Sequence, residues 1–380
     1  MKCGVSLVKE INITVIGIGK LGLCFSLILE KYGFNVLGVD IDDNYVNSLN
    51  NKKFRSYEPD VDTQLSQSNN FFASTDMKSG LIHSDILFIF VATPSLLSGK
   101  YDHSQINGVI DQLISNSTRN ESKHIIIGCT TMPGYCDKVQ ERLQPYGYTV
   151  SYNPEFIAQG SVMRDLVNPD ILLIGEGSKT CGEEIEKIYS TILNSKPSIH
   201  RMSRKEAEIV KIALNCFLTT KIAYANMVGD IARSAGCNPD VILEAVGSDS
   251  RIGNKNLKYG YGYGGPCFPR DNRAFAIFAD DVKIDAIISK ASDSANKLHL
   301  QYQIEEFIEN NNMSKPIVFS DLAFKPGTTI IEESQKLALA VGLAKKGYRI
   351  TIQDEKEIMN QIKLIYSNLF CYSLKKEICL

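Results

Sequence analysis

The chain holds 380 residues, enough for about two and a half domains of ordinary size and for a full apolar core without covalent staples. Hydrophobic residues make up 44% and charged ones 22%, with a formal net charge of -2, so nothing favours nucleic acid or a membrane surface as the main partner. The 10 cysteines show no C-x-x-C and no zinc-ligand spacing to a histidine, so no metal is expected and the thiols read as reduced and cytoplasmic.

Met1–Glu10 lacks the apolar segment of a secretory leader, and no apolar stretch approaches the roughly 18 residues of a membrane helix. From Ile11 onward, short β-rich runs alternate with helical stretches. The strand candidates are 11–16, 35–39, 86–91, 124–128, 149–152 and 171–174. Their connections are long enough for crossover helices, which predicts an α/β, parallel, doubly wound sheet. Near Ser203 the pattern changes. The spacing of Ile209, Ile212, Ala213, Leu218, Ile222 and Ala225 predicts one long helix to about Ser234, followed by more helix to Gly247. A Gly-rich loop over 259–265 precedes helix to about Asn310. A strand is expected at 317–320, a helix at 334–346 and a strand at 348–353.

Five motifs carry chemistry. Gly17-Ile18-Gly19-Lys20-Leu21-Gly22 follows a strand and opens a helix, and the next strand ends in Asp40. This is the dinucleotide arrangement, in which glycines admit a pyrophosphate to a helix N-terminus and the acid takes the ribose hydroxyls, favouring NAD over NADP. Thr93, in Val91-Ala92-Thr93-Pro94, and Thr131, in Thr130–Gly134, stand at strand ends where such sheets bind ligands, although by itself each motif reads first as a plain turn ending a strand. Glu155, in Asn153-Pro154-Glu155-Phe156-Ile157, either acts on a bound ligand or water or satisfies a helix start. Lys211 and Asn215 share one face of the long helix. The lysine either snorkels to solvent or stabilises a developing oxyanion. Finally, Gly260, Gly262, Gly264 and Gly265 lead into Cys267, with Arg270 and Asp271 just after it. Glycines allow close backbone approach, the cation favours a thiolate and the carboxylate handles protons. A hydride acceptor together with a nucleophilic cysteine points to aldehyde-level oxidation through a thiohemiacetal and a thioester; taking an alcohol to an acid needs two hydride transfers.

These motifs, in this order, resemble the UDP-glucose/GDP-mannose dehydrogenase family over roughly Ile11 to Asp354, with Asn153–Phe156 closest to its UDP-glucose branch. The resemblance implies a Rossmann-type NAD-binding domain over 11–200, a helical central and dimerisation region over 201–312, and a shortened, Rossmann-like UDP-sugar-binding domain over 313–380. It implies Cys267 as nucleophile, Lys211 as oxyanion partner, Asn215 and Asp271 as partners of the hydrolytic water, and Thr131 and Glu155 in water activation and proton transfer. Gly17, Gly19, Lys20, Leu21, Gly22, Asp40, Thr93 and Thr131 would hold NAD. Phe156, Ile157, Lys258, Gly264, Phe324 and Lys325 would join Glu155, Lys211 and Asn215 around the UDP-sugar, and Arg251 would reach a neighbouring subunit's substrate in a homodimer.

Four positions depart from the family pattern. Gln159 replaces a glutamate, Arg270 a lysine, Asp321 a glycine, and Glu332 an arginine that helps to hold the cofactor. The implied reaction is NAD-dependent oxidation of the C6 hydroxyl of UDP-glucose to the carboxylate of UDP-glucuronate, usually for polysaccharide synthesis. A UDP-N-acetylhexosamine is an alternative substrate. A nucleotide-sugar-binding protein with little or no turnover is a third reading, motivated by Glu332, Asp321 and the short last domain.

Overall fold

The short apolar runs of the first half become strands of one sheet in the computed structural model, which describes residues 11–117, 121–157, 160–313 and 315–374. Met1–Glu10 and Gln159 lie outside the described residues. The chain divides into two compact units, one ending at Lys211 and the other beginning at Ile212. No helix among the described residues is long and apolar enough to cross a membrane.

In the first unit the strands are β1 (Asn12–Ile16), β2 (Asn35–Val39), β3 (Phe71–Ser74), β4 (Ile86–Ile89), β5 (Lys123–Ile127), β6 (Tyr148–Tyr152), β7 (Ile171–Gly175) and β8 (Ser198–Met202). They form one sheet in the order β3-β2-β1-β4-β5-β6-β7-β8. Its helices are α1 (Lys20–Lys31), α2 (Asp43–Asn50), α3 (Val61–Gln67), α4 (Met77–His83), α5 (Ser104–Asn116), α6 (Tyr135–Leu143), α7 (Val162–Val167) and α8 (Lys179–Ile192). The interior strands read as unbroken apolar runs because both faces are covered: Phe88, Ile125, Ile126 and Ile127 have no exposed surface.

Two strands go beyond the sequence reading. β3 is short, and β8 is a half-exposed edge whose sequence SIHRM carries no apolar alternation. The expected parallel sheet also needs one correction. β6 and β7 pair antiparallel at Tyr152 and Gly175, whereas the other pairs in this sheet are parallel. Among its described residues the link between them holds just the six-residue α7, and the chain re-enters beside the end where β6 stops, so no parallel crossover is made.

The division between the units falls inside α9 (Arg204–Ser234), a 31-residue helix that matches the Pro-free stretch. Its start is a capping box: Ser203 N–H donates to the Glu206 carboxylate at 2.9 Å, and Glu206 N–H donates to Ser203 Oγ at 3.4 Å. The second unit continues with α10 (Pro239–Gly247), α11 (Phe268–Asp281) and α12 (Ile287–Asn310). The single helix expected up to Asn310 is broken after α11, where Lys283 adopts a φ of 64° that no α-helix continues. β9 (Ile317–Phe319), α13 (Gln335–Lys345), β10 (Ile350–Asp354), α14 (Lys356–Tyr366) and β11 (Cys371–Leu374) follow. They give a three-stranded parallel sheet in the order β11-β10-β9 over a core that includes Leu337, Leu343, Ile352 and Ile362. Among the described residues after Asp354, a stretch that carries no pattern for a pair of strands, the chain builds one helix and one strand.

Two helical glycines set a matched test. A Cβ at Gly108 in α5 would meet nothing within 4 Å, whereas at Gly229 in α9 it would lie 1.9 Å from the Tyr259 ring. Gly108→Ala should raise the unfolding free energy by about 1 kcal/mol through helix propensity. Gly229→Ala should lower it by about 1–3 kcal/mol through overpacking. Urea denaturation of the two variants checks this, and shifts of the same sign would contradict it.

Candidate active site

The turn after β1 shows why three glycines stand where they do. Gly17 has a φ of 81°, and a Cβ there would meet the Phe90 carbonyl oxygen at 2.8 Å. At Gly22 a Cβ would lie 2.0 Å from the Gly17 carbonyl oxygen, so only glycine lets α1 pack onto this turn. At Gly19 a Cβ would meet nothing within 4 Å. Gly19 is the N-cap of α1 and supplies no side-chain hydrogen bond, which leaves the first N–H groups of the helix for a ligand. Lys20 and Leu21 form the first turn. Gly19, Lys20 and Asp40 border a cleft of about 330 Å³ that Tyr45, Phe54 and Val61 also line. The Asp40 carboxylate accepts from Ile18 N–H at 3.1 Å and from Asp42 N–H at 3.3 Å. Open space at Gly19, uncapped helix N–H groups and a carboxylate at the end of β2 together fit a dinucleotide. Thr93 is buried just past β4.

The second group in this unit centres on the first turns of α9. Lys211 is 9% exposed; its Nζ donates to the Glu155 carbonyl oxygen at 2.8 Å and lies 4.6 Å from the centre of the Phe156 ring. The Glu155 side chain accepts a hydrogen bond from the Tyr189 hydroxyl. Burial pushes its carboxyl up to about 7, against the opposing effects of Tyr189 and Lys211. Ile157 packs against the apolar core below α1. Thr131 has no exposed surface, and its hydroxyl donates at 2.8 Å to Glu208 instead of facing a cleft.

Glu208 is a residue the sequence reading missed. It is fully buried on α9, and its carboxylate also accepts from Gly134 N–H at 2.6 Å and from Cys136 N–H at 2.9 Å. Burial raises its carboxyl above the usual range despite these donors. One signal was available: Glu208 lies one turn before Lys211, on the face that Ala207 and Ile212 mark as apolar. Tyr189 offered none, because its place on α8 reads as core.

In the second unit Asn215 and Asp271 come together. Asn215 Nδ2 donates to Asp271 Oδ2 at 2.7 Å, and both residues are buried. Arg270 Nε donates to the other Asp271 oxygen at 3.2 Å. Cys267 is exposed at the N-cap of α11, where the helix dipole favours negative charge. The glycines before it serve the protein's own packing as much as any ligand. A Cβ at Gly264 would lie 2.2 Å from the Glu333 carbonyl oxygen, and one at Gly265 would lie 2.4 Å from the Phe324 ring. Phe324 and Lys325 border a cleft of about 450 Å³ with Tyr261, Gly264, Asp321 and Lys336. Asp321 takes a φ of 53°, a conformation that aspartate tolerates better than most residues. Glu332 is exposed, and its carbonyl accepts from Gly265 N–H at 3.1 Å. Lys258 is exposed, and the exposed Arg251 pairs with its own neighbour Asp249 at 2.7 Å.

Residues 11–193 match the UDP-glucose/GDP-mannose dehydrogenase family, NAD binding domain, and residues 205–298 match that family's central domain. The chain is 30% identical over 380 residues to the UDP-glucose 6-dehydrogenase of Rickettsia prowazekii, covering 97% of this chain and 86% of that one. It is 30% identical over 359 residues to the UDP-glucose 6-dehydrogenase of Pseudomonas aeruginosa, covering 90% and 78%. A solved UDP-glucose dehydrogenase from Pyrobaculum islandicum superimposes with a TM-score of 0.88 at 26% identity, covering 97% and 88%.

The raised Glu155 carboxyl has a stability consequence. Folding favours its protonated form, so this contribution is complete below about pH 4.5 and is lost as pH rises through about 7. The parent should therefore lose stability relative to Glu155→Gln across that window, as read from urea unfolding at several pH values. A constant difference between the two would contradict the assignment.

Proposed function

Because the chain belongs to the UDP-glucose/GDP-mannose dehydrogenase family, we propose that it oxidises the C6 hydroxyl of UDP-glucose to a carboxylate, giving UDP-glucuronate. It works with NAD, in the cytoplasm, through three segments: 11–200 for the cofactor, 201–312 for the central helices and cysteine loop, and 313–380 for the UDP-sugar. The observation that carries the reading is the exposed Cys267 at the head of α11, one helical turn before the buried Asp271 that Asn215 holds.

Each NAD, when bound, would accept one hydride from C6, so two are consumed as the alcohol is taken to the acid. Gly17, Gly19 and Gly22 admit its pyrophosphate, Asp40 takes ribose hydroxyls, and Lys20, Leu21 and Thr93 complete its segment, with Thr131 behind it, bonded to Glu208. The Cys267 sulfur adds to the C6 aldehyde carbon as a thiohemiacetal. After the second oxidation the same S–C bond is a thioester. Water then adds to the carbonyl, the S–C bond breaks, the carboxylate leaves and the thiol is restored. Lys211, held in a largely dry site by Glu155 and Phe156, stabilises the charge on the C6 oxygen. Glu155, with its carboxyl near 7, exchanges protons at neutral pH, while Asp271 and Asn215 orient the water. Phe156, Ile157, Lys258, Gly264, Phe324 and Lys325 contact the UDP-sugar, and Arg251 extends to the substrate of the other subunit.

That other subunit is supported by α9. Phe217, Tyr224, Met227 and Ile231 are 67%, 48%, 45% and 62% exposed and recur at helical spacing, an apolar stripe that a second copy would bury. Phe217→Glu combined with Ile231→Glu should convert a dimer to monomers in light scattering. A wild-type chain that is monomeric at micromolar concentration would refute the dimer.

Purified protein with UDP-glucose and NAD should yield two NADH per sugar, and Cys267→Ala should lower kcat by a factor on the order of 10³ or more. Turnover with UDP-N-acetylhexosamines but not UDP-glucose would reassign the substrate. No NADH with any UDP-hexose would overturn the reading.

A further inference from the structure

α12 buries a polar face. Its buried residues are Ser289, Ser292, Asn296 and His299. Buried polar groups cost free energy unless they are paired, so the partners of this face show what it holds. Chief among them is the backbone of the glycine loop. Asn296 accepts from Tyr263 N–H at 2.9 Å and donates to the Tyr263 carbonyl oxygen at 3.0 Å. A Cβ at Gly262 would lie 2.3 Å from Asn296 Oδ1, so the glycine there makes room for the asparagine. Farther along the same face, His299 Nε2 lies 2.6 Å from the Gly260 carbonyl oxygen.

Asp293, one turn before Asn296, joins two segments. Its Oδ1 accepts from the Tyr263 hydroxyl at 2.6 Å and from Asn272 Nδ2 at 3.2 Å. Both donors are buried, Tyr263 at 3% exposure and Asn272 at 1%. Burial and the Asp293 carboxylate raise the Tyr263 hydroxyl above its usual value, which keeps it a donor. Asn272 Nδ2 also donates to the Ser289 carbonyl oxygen at 2.8 Å, so α11 is tied to α12 at the same point. Tyr263 precedes Cys267 in the chain, and Asn272 follows it directly after Asp271. One carboxylate oxygen thus takes a donor from each side of the cysteine. The stretch it spans begins with Gly264 and Gly265, whose backbone has wide freedom of its own.

We propose that Asp293 is a positioning residue for Cys267: its carboxylate clasps Tyr263 to Asn272 and holds the stretch between them in the one conformation that keeps the thiol at the head of α11. Asp293 itself makes no contact with substrate in this role. With the clasp open, the glycines let the stretch wander, and the sulfur spends less time where it can add to an aldehyde carbon. The clasp stands on geometry alone, whereas its effect on turnover rests on the proposed function.

The test compares the full chain with Asp293→Leu, which has no acceptor, and Asp293→Asn, which keeps Oδ1. In Asp293→Leu, amide hydrogen exchange over 264–272 should rise severalfold. Alkylation of Cys267 by iodoacetamide, followed by peptide mass spectrometry against the exposed Cys237 and Cys371, should slow about threefold as the thiol leaves the helix dipole. With UDP-glucose and NAD, kcat should fall about a hundredfold, while KM for NAD stays within about twofold because the cofactor segment is untouched. Asp293→Asn should restore all of these readings. Unchanged exchange or alkylation in Asp293→Leu overturns the clasp, and so does an Asp293→Asn that behaves like Asp293→Leu. An unchanged kcat beside faster exchange overturns the positioning role. If Asp293→Leu does not fold, Tyr263→Phe opens one side of the clasp with the ring retained, and the same outcomes decide. A parent without turnover on any UDP-hexose refutes the proposed function, and exchange and alkylation still decide the clasp.

Discussion

A fully buried carboxylate needs donors for its oxygens, and Glu208 finds them in the Thr131 hydroxyl and the Gly134 and Cys136 amides. That requirement fixes the first turns of α9 against the loop that follows β5. The same turns are held by Arg204, whose guanidinium donates to Asp137 at 2.8 Å. They press so closely on β7 that a Cβ at Gly175 would lie 2.8 Å from the Arg204 Cα. With the helix start held in this way, Lys211 reaches the Glu155 carbonyl as a consequence of register. The lysine is placed by a carboxylate one turn away whose hydrogen-bond partners are Thr131, Gly134 and Cys136.

Glycine serves opposite ends at the two loops. At Gly17 and Gly22 the missing side chains let one piece of backbone lie on another, and the space that results is left open at Gly19. At Gly264 and Gly265 the missing side chains are replaced by the Glu333 carbonyl and the Phe324 ring, and Asn296 pins the segment through Tyr263 N–H at 2.9 Å. The first loop is a cradle, whereas the second is a tightly packed ramp that delivers Cys267 to the head of α11.

The legible parts were those in which chemistry and periodicity coincide locally. The glycine turn with Asp40, the Pro-free run of α9 and the continuous apolar strands each announce themselves within a short stretch. β8 did not, because SIHRM at a half-exposed edge has neither alternation nor apolar mass. The reversed pairing of β6 and β7 depends on the route of a link, which no strand sequence encodes. The partners at the site were hidden for a similar reason. Glu208 meets Thr131 across 77 positions, and Tyr189 meets Glu155 across 34. Arg270, which the sequence sets beside Cys267, donates to the Asp271 carboxylate in the structure.

The hydrogen bond from Ile18 N–H to Asp40 ties the backbone of the glycine turn to the side chain at position 40. Ile18 has no exposed surface, and its amide sits inside the turn that shapes the whole cradle. A mutation that traded Asp40 for a residue without an acceptor oxygen would leave this amide unsatisfied as well as change the charge of the cleft. Position 40 thus answers a demand of the backbone as well as any demand of a ligand: an exchange there that keeps the turn must keep an acceptor within reach of Ile18 N–H.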